Sequence, residues 1–154
     1  MAKVYCRYRV MLEQVIRRVY VKDILYLRLI YPCTFDGHPK CFFQKMLGRT
    51  SNVNNVSVSL TVVPDLFPLL PRIIEEKRAT GIINFVSKGA VKLPALLDAA
   101  GLKHTVASTS SASLASEVLC SAKLRDLLGE ESVRPLSESV PCYAAMYKRM
   151  IVES

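Results

Sequence analysis

Glycine is scarce in this 154-residue chain, with 6 residues, at positions 37, 48, 81, 89, 101 and 129. None has GxGxxG, GxxGxxG or Walker spacing, so the sequence carries no backbone cradle for phosphates. Nowhere does the chain reach the roughly 18 consecutive apolar residues that a membrane-spanning helix needs, so no membrane span is expected. The 5 cysteines (Cys6, Cys33, Cys41, Cys120 and Cys142) include no CxxC pair, which excludes zinc ribbons and thioredoxin motifs. Odd in number and widely spread, they read as free buried thiols in a reducing compartment, and the expected location is the cytoplasm. The two histidines, His38 and His104, lie in loop-like settings with no nucleophile elbow beside them, and read as surface residues. Cys33, His38 and Cys41 could be grouped around a metal, but a fourth ligand is missing and no metal is expected.

Acidic residues are few, 13 against 21 Lys plus Arg, for a net charge of +8. The basic residues are scattered, without an Arg-rich or Gly-aromatic run, so the charge reads as a solubility charge and no nucleic-acid partner is expected. Hydrophobic residues make up 51% of the chain, and the mean hydropathy is +0.23. That excludes disorder, because enough apolar surface exists to offset the entropy of ordering one domain. It also anticipates an apolar face meant for a protein partner.

Val4, Tyr5, Tyr8, Met11, Leu12, Val15, Ile16 and Val19 recur at helical spacing, which predicts an amphipathic helix over 4–19. Its basic, acid-poor character also fits a mitochondrial transit peptide, although 1–22 contains no Ser or Thr and Glu13 interrupts the face. Ile24–Ile30 reads as a largely buried strand, and Lys40–Leu47 as a short helix after Pro39. The alternation over Val56–Val62 predicts one half-buried strand with Ser57, Ser59 and Thr61 outward. Pro68 and Pro71 delay the next helix until about Pro71. A strand is expected over Ile82–Val86, a helix over Val91–Ala100 closed by Gly101, and a short strand over Leu102–Val106. The Ser-rich 108–116 reads as a loop. A helix capped by Ser121 is expected to run to Leu128, and a last one to cover Ser137–Ile151. Strands alternating with helices make the class α/β.

The most chemical feature is Tyr5-Cys6-Arg7-Tyr8-Arg9. Tyr5 and Arg9, four apart, share a helical face. A phenol titrating near ~10 needs a neighbouring cation before it can trade protons at neutral pH. The alternative reading is a half-buried tyrosine beside a solvated arginine.

In order along the chain, several segments resemble the C-terminal half of an extended short-chain dehydrogenase/reductase of the dTDP-4-dehydrorhamnose reductase type. The likeness is greatest to the epimerase/reductase domain of plant-type rhamnose synthases. Tyr5-Cys6-Arg7-Tyr8-Arg9-Val10-Met11-Leu12-Glu13 resembles the family's catalytic helix. Tyr26-Leu27-Arg28-Leu29-Ile30-Tyr31-Pro32 is similar to its following strand. Thr61-Val62-Val63-Pro64-Asp65-Leu66-Phe67-Pro68 resembles Thr-Val-Leu-Asp-Glu-Leu-Leu-Pro, and Gly81-Ile82-Ile83-Asn84-Phe85 resembles Gly-Ile-Trp-Asn-Phe. Ser121-Ala122-Lys123-Leu124 resembles Ala-Ser-Lys-Leu.

The resemblance implies the C-terminal part of a Rossmann-like NAD(P)-binding fold with its substrate-side subdomain, lacking the N-terminal dinucleotide-binding half. It divides the chain into 1–32, a catalytic-type helix and strand, and 33–154, the substrate-side part of a single incomplete domain. It also implies NADP or NAD as cofactor, and a nucleotide-linked 4-keto-6-deoxy sugar as substrate. Tyr5 is then the proton donor, and Arg9 stands for the family's lysine beside phenol and nicotinamide ribose. Pro32 contributes to the cofactor site and Lys123 to the substrate site. The departures are the missing glycine loop, Arg9 in place of lysine, and Cys120 where the family tends to have aspartate. The expectation is therefore a truncated or diverged reductase, inactive as this chain alone. The competing expectations are a non-catalytic interaction subunit that reuses the fold, and a fragment that never folds by itself.

Overall fold

The computed structural model describes residues 2–19, 24–46, 52–76, 79–107 and 117–152; the loop expected over 108–116 lies outside them. Among the described residues are α1 (Ala2–Val19), β1 (Leu25–Arg28), β2 (Pro32–Cys33), α2 (Phe42–Met46), β3 (Ser57–Val58), β4 (Thr61–Val62), α3 (Val63–Leu66) and α4 (Leu70–Glu75). They continue with β5 (Gly81–Asn84), β6 (Val91–Lys92), α5 (Leu93–Ala99), α6 (Ala122–Leu128) and α7 (Leu136–Val152). This is a mixed α/β chain with short parallel strands. β1 pairs with β5 and β2 with β4, both parallel, while β3 and β6 pair antiparallel. No helix among the described residues is long and apolar enough to cross a membrane.

The prolines set the helical starts. Instead of one helix beginning at Pro71, helical structure begins at Val63. Pro64, Pro68 and Pro71 each stand in the first two positions of a separate piece: α3, a 3-10 turn over Phe67–Leu69, and α4. There the missing N–H costs nothing. Likewise Pro94 opens α5, so Val91–Lys92 is strand rather than helix. Ser121 takes the N-cap position of α6, but its side chain makes no capping hydrogen bond.

The expected strand over 56–62 is two, and both of its faces are buried: Val58, Ser59, Leu60, Thr61 and Val62 are all inaccessible. Its polar side chains survive burial by bonding backbone from other segments. Ser59 Oγ donates to Leu119 O at 3.4 Å and accepts from Leu119 N–H at 3.0 Å. Thr61 Oγ1 donates to Phe85 O at 2.8 Å and accepts from Ile30 N–H at 3.1 Å. Expected buried, β1 is instead half-buried with Arg28 exposed. Among the described residues it pairs with β5 alone, so its other edge carries no strand. Leu102–Val106 forms only a single bridge, Val53 to Val106, in place of a strand.

Two apolar clusters form the core. One gathers Phe35, Phe43, Leu60, Leu96, Leu97 and Tyr147 between α2, β4, α5 and α7. The other gathers Leu66, Ile73, Ile83, Phe85, Leu124 and Leu128 between α4, β5 and α6. Each buried Leu or Ile contributes about 1.5–3 kcal/mol. Thr61 stands where the two meet.

α1 is attached by its polar side. Arg28 Nε and Nη2 donate to the Glu13 carboxylate at 2.9 and 2.5 Å, and Arg17 lies over the Tyr26 ring. Ile16 is half-buried too, and the rest of the apolar stripe faces away: Val4, Tyr8, Met11, Leu12, Val15 and Val19 are between 53% and 66% exposed. His104, expected at the surface, has its ring almost buried, with Nδ1 3.1 Å from Leu102 O. Cys33 and Cys41 are buried as expected, whereas Cys120 and Cys142 are exposed.

Candidate functional site

A residue before proline is pushed toward extended backbone. Tyr31 precedes Pro32 and yet has φ 44°, in the left-handed region, which costs a non-glycine residue about 1–3 kcal/mol. Its ring centroid lies 4.8 Å from that of Phe42, and its hydroxyl donates to the Glu117 carboxylate. Burial, and then the bond to Glu117, raise the Tyr31 phenol above the usual tyrosine value. Here the chain changes partners: Phe85 N–H reaches Arg28 O at 2.8 Å, and two residues later Thr61 N–H reaches Ile30 O at 2.8 Å.

This switch lies at the carboxyl end of β1, the edge where open parallel sheets take ligands. Across the same edge, Asn84 at the end of β5 donates from Nδ2 to Cys120 O at 3.0 Å. With the Ser59–Leu119 bonds it holds Glu117–Cys120 over the strand ends. A phenol and a carboxylate offer donor and acceptor capacity to a polyhydroxylated ligand.

Of the residues singled out from sequence, Tyr5 lies in α1, with its side chain outside the described residues. Arg9 is exposed one turn before Glu13. The hydrogen bonds from Arg28, reinforced by the charges of Arg28, Arg17 and Arg9, hold the Glu13 carboxyl below its usual range despite partial desolvation. Pro32 is half-buried in β2, paired with Thr61. Glu13 joins α1 to the carboxyl end of β1, four residues before Pro32. Lys123 lies elsewhere: Nζ donates to Thr80 O at 2.6 Å and Ile82 O at 3.1 Å, at the amino end of β5.

Sequence reasoning missed Tyr31–Glu117, whose partners stand 86 positions apart. It also missed a second polar cluster. The nearly buried Asp65 carboxylate accepts from Ser139 Oγ at 2.5 Å and Tyr143 OH at 2.6 Å, with Arg134 at 3.7 Å. The bond to Asp65, helped by burial, pushes the Tyr143 phenol up to about 12. Because it ties α3 to α7, this cluster is structural. No local signal marks Tyr31, because its place before Pro32 favours extended backbone rather than the positive φ it adopts.

The backbone is similar to that of a UDP-rhamnose synthase from Acanthamoeba polyphaga mimivirus, known from a crystal structure, with a TM-score of 0.65. The likeness is one of fold. Identity is 20%, and the match covers 80% of this chain but only 46% of the synthase, so the chain spans about half that protein's length. No family model matches the sequence. No curated protein matches it.

Proposed function

We propose that the chain is the substrate-side part of a nucleotide-sugar reductase of the 4-keto-6-deoxyhexose type. The observation that carries this reading is the backbone likeness to a UDP-rhamnose synthase. The ordered family-like segments support it. In this reading Tyr5 holds the proton destined for the sugar carbonyl oxygen, and Arg9 supplies the cation that favours releasing it. Pro32 borders the cofactor side. Lys123 serves the substrate side by fixing α6 against β5.

NADP or NAD is implied by the resemblance, but the described residues do not fit a dinucleotide. Gly37, Gly81, Gly89, Gly101 and Gly129 adopt positive φ singly, with no second glycine beside any of them. Among the described residues no helix opens on a glycine-rich turn. No hydride step is therefore assigned to this chain alone. A second part of the fold must contribute the cradle, and the uncovered edge of β1 and the outward stripe of α1 are where such a part fits. The same stripe favours a second reading, a non-catalytic subunit that docks on another protein.

Titration calorimetry with UDP-rhamnose and, separately, NADPH tests the proposal on the chain as it stands. Binding of the sugar nucleotide without NADPH is expected. Absence of sugar-nucleotide binding from a cooperatively folded sample would overturn the reductase reading and leave the docking subunit.

A further inference from the structure

Tyr31 and Glu117 meet over the carboxyl ends of β1 and β5, and neither has a part in the proposed function. Glu117 is fixed through its backbone beside β3: its N–H donates to Ser57 O at 2.9 Å, and its O accepts from Ser59 N–H at 3.0 Å. The residue itself is exposed, and the Tyr31 phenol that donates to its Oε2 belongs to a half-buried residue. A ligand arriving from solvent can therefore reach the pair.

Tyr31 makes this bond from an unfavourable backbone. A residue before proline favours the extended form, whereas Tyr31 sits at φ 44°. Its neighbours impose that conformation. Its ring packs 4.8 Å from that of Phe42, Cys33 Sγ donates to its O at 3.3 Å, and the preceding Ile30 O is taken by Thr61 N–H at 2.8 Å. Strain of this kind persists only where the surroundings over-determine it, and it gathers at ligand clamps and switches.

A carboxylate accepts through two oxygens, and the phenol bonds one of them. Two adjacent hydroxyls on a ligand can bond both at once, which a single phenol cannot match. Losing the phenol's bond is offset in part, because Tyr31 is then released toward extended backbone.

We infer that Glu117 selects its ligand by a pair of vicinal hydroxyls, and that the Tyr31 phenol holds the carboxylate until such a ligand displaces it. Only hydrogen bonds are exchanged. The inference rests on the nucleotide-sugar reading and deepens it, since a nucleotide sugar carries vicinal hydroxyls on its sugar and on its ribose.

Titration calorimetry of the parent, Glu117→Gln and Tyr31→Phe with UDP-rhamnose and with UDP tests it. Glu117→Gln changes an exposed side chain without changing its size, and should weaken UDP-rhamnose binding at least about tenfold. Tyr31→Phe removes the competing hydroxyl and should tighten binding at least about threefold. A purely structural tether gives the opposite sign, weaker binding with a lower Tm. UDP separates the two sources of hydroxyls. Its affinity falls in Glu117→Gln if the ribose is held there, and stays within about twofold if the sugar is. A parent that binds UDP-rhamnose while Glu117→Gln matches it within about twofold, or while Tyr31→Phe binds no more tightly, would overturn this inference alone. A folded parent that binds no UDP-rhamnose would overturn the nucleotide-sugar reading and this inference with it.

Discussion

Thr61→Val removes one hydroxyl at the point where the two core clusters meet, and hydrophobicity alone would make it harmless. The shape is kept and the site is fully buried. Yet Oγ1 both donates to Phe85 O and accepts from Ile30 N–H, at 2.8 and 3.1 Å. Valine orphans both backbone groups away from water, at about 1–3 kcal/mol each, partly offset by the extra methyl, for a net loss of about 2–4 kcal/mol. At this chain length that lowers Tm by roughly 6–12 °C. Thr61→Ser keeps both bonds and gives up one methyl group, a loss of about 1 kcal/mol. Urea unfolding should order the proteins parent, Ser, Val, with the m-value unchanged. Valine as stable as serine, or more so, would refute the argument that the hydroxyl anchors Ile30 and the switch at Tyr31.

Leu12→Glu with Val15→Glu should change stability by less than about 0.5 kcal/mol and raise solubility, because both side chains face outward in α1. A large loss measured by urea unfolding would mean that this face is buried against something in solution. Ser139→Ala removes a bond to a carboxylate at a fully buried position and should cost about 2 kcal/mol by the same measurement. Tyr143 and Tyr147 keep their protons up to about 12, the first through its bond to Asp65 and the second through burial. The unfolded phenols titrate near ~10, so their stabilisation is present below that pH and is lost as pH rises toward the folded value. Thermal melts between these limits should fall with pH, and more gently in Tyr143→Phe/Tyr147→Phe.

Periodicity and local chemistry determined most of the elements. The apolar spacing of residues 4–19 made α1, Gly101 and Gly129 closed the helices before them, and the alternation of strand and helix set the class. These signals act over a turn or two of chain, so one sequence displays them. Pro64, Pro68, Pro71 and Pro94 could have been read as helix openers rather than breakers, since N-terminal placement costs them no hydrogen bond.

What tertiary structure alone decided are the meetings of distant segments. Ser59 and Thr61 look like solvent-facing positions in a half-buried strand. They are buried because Leu119, Phe85 and Ile30 arrive with backbone groups that need partners. Nothing local announces the left-handed backbone of Tyr31, since Pro32 after it favours the extended form, and Glu117 stands 86 positions away. Helical periodicity marked the apolar stripe of α1 but not its direction. Among the side chains described in α1, Glu13 and Ile16 turn inward, Glu13 paired with Arg28, and the rest of the stripe faces out. Spacing along a chain determines which side chains share a face, and only the packing of other segments determines what that face meets.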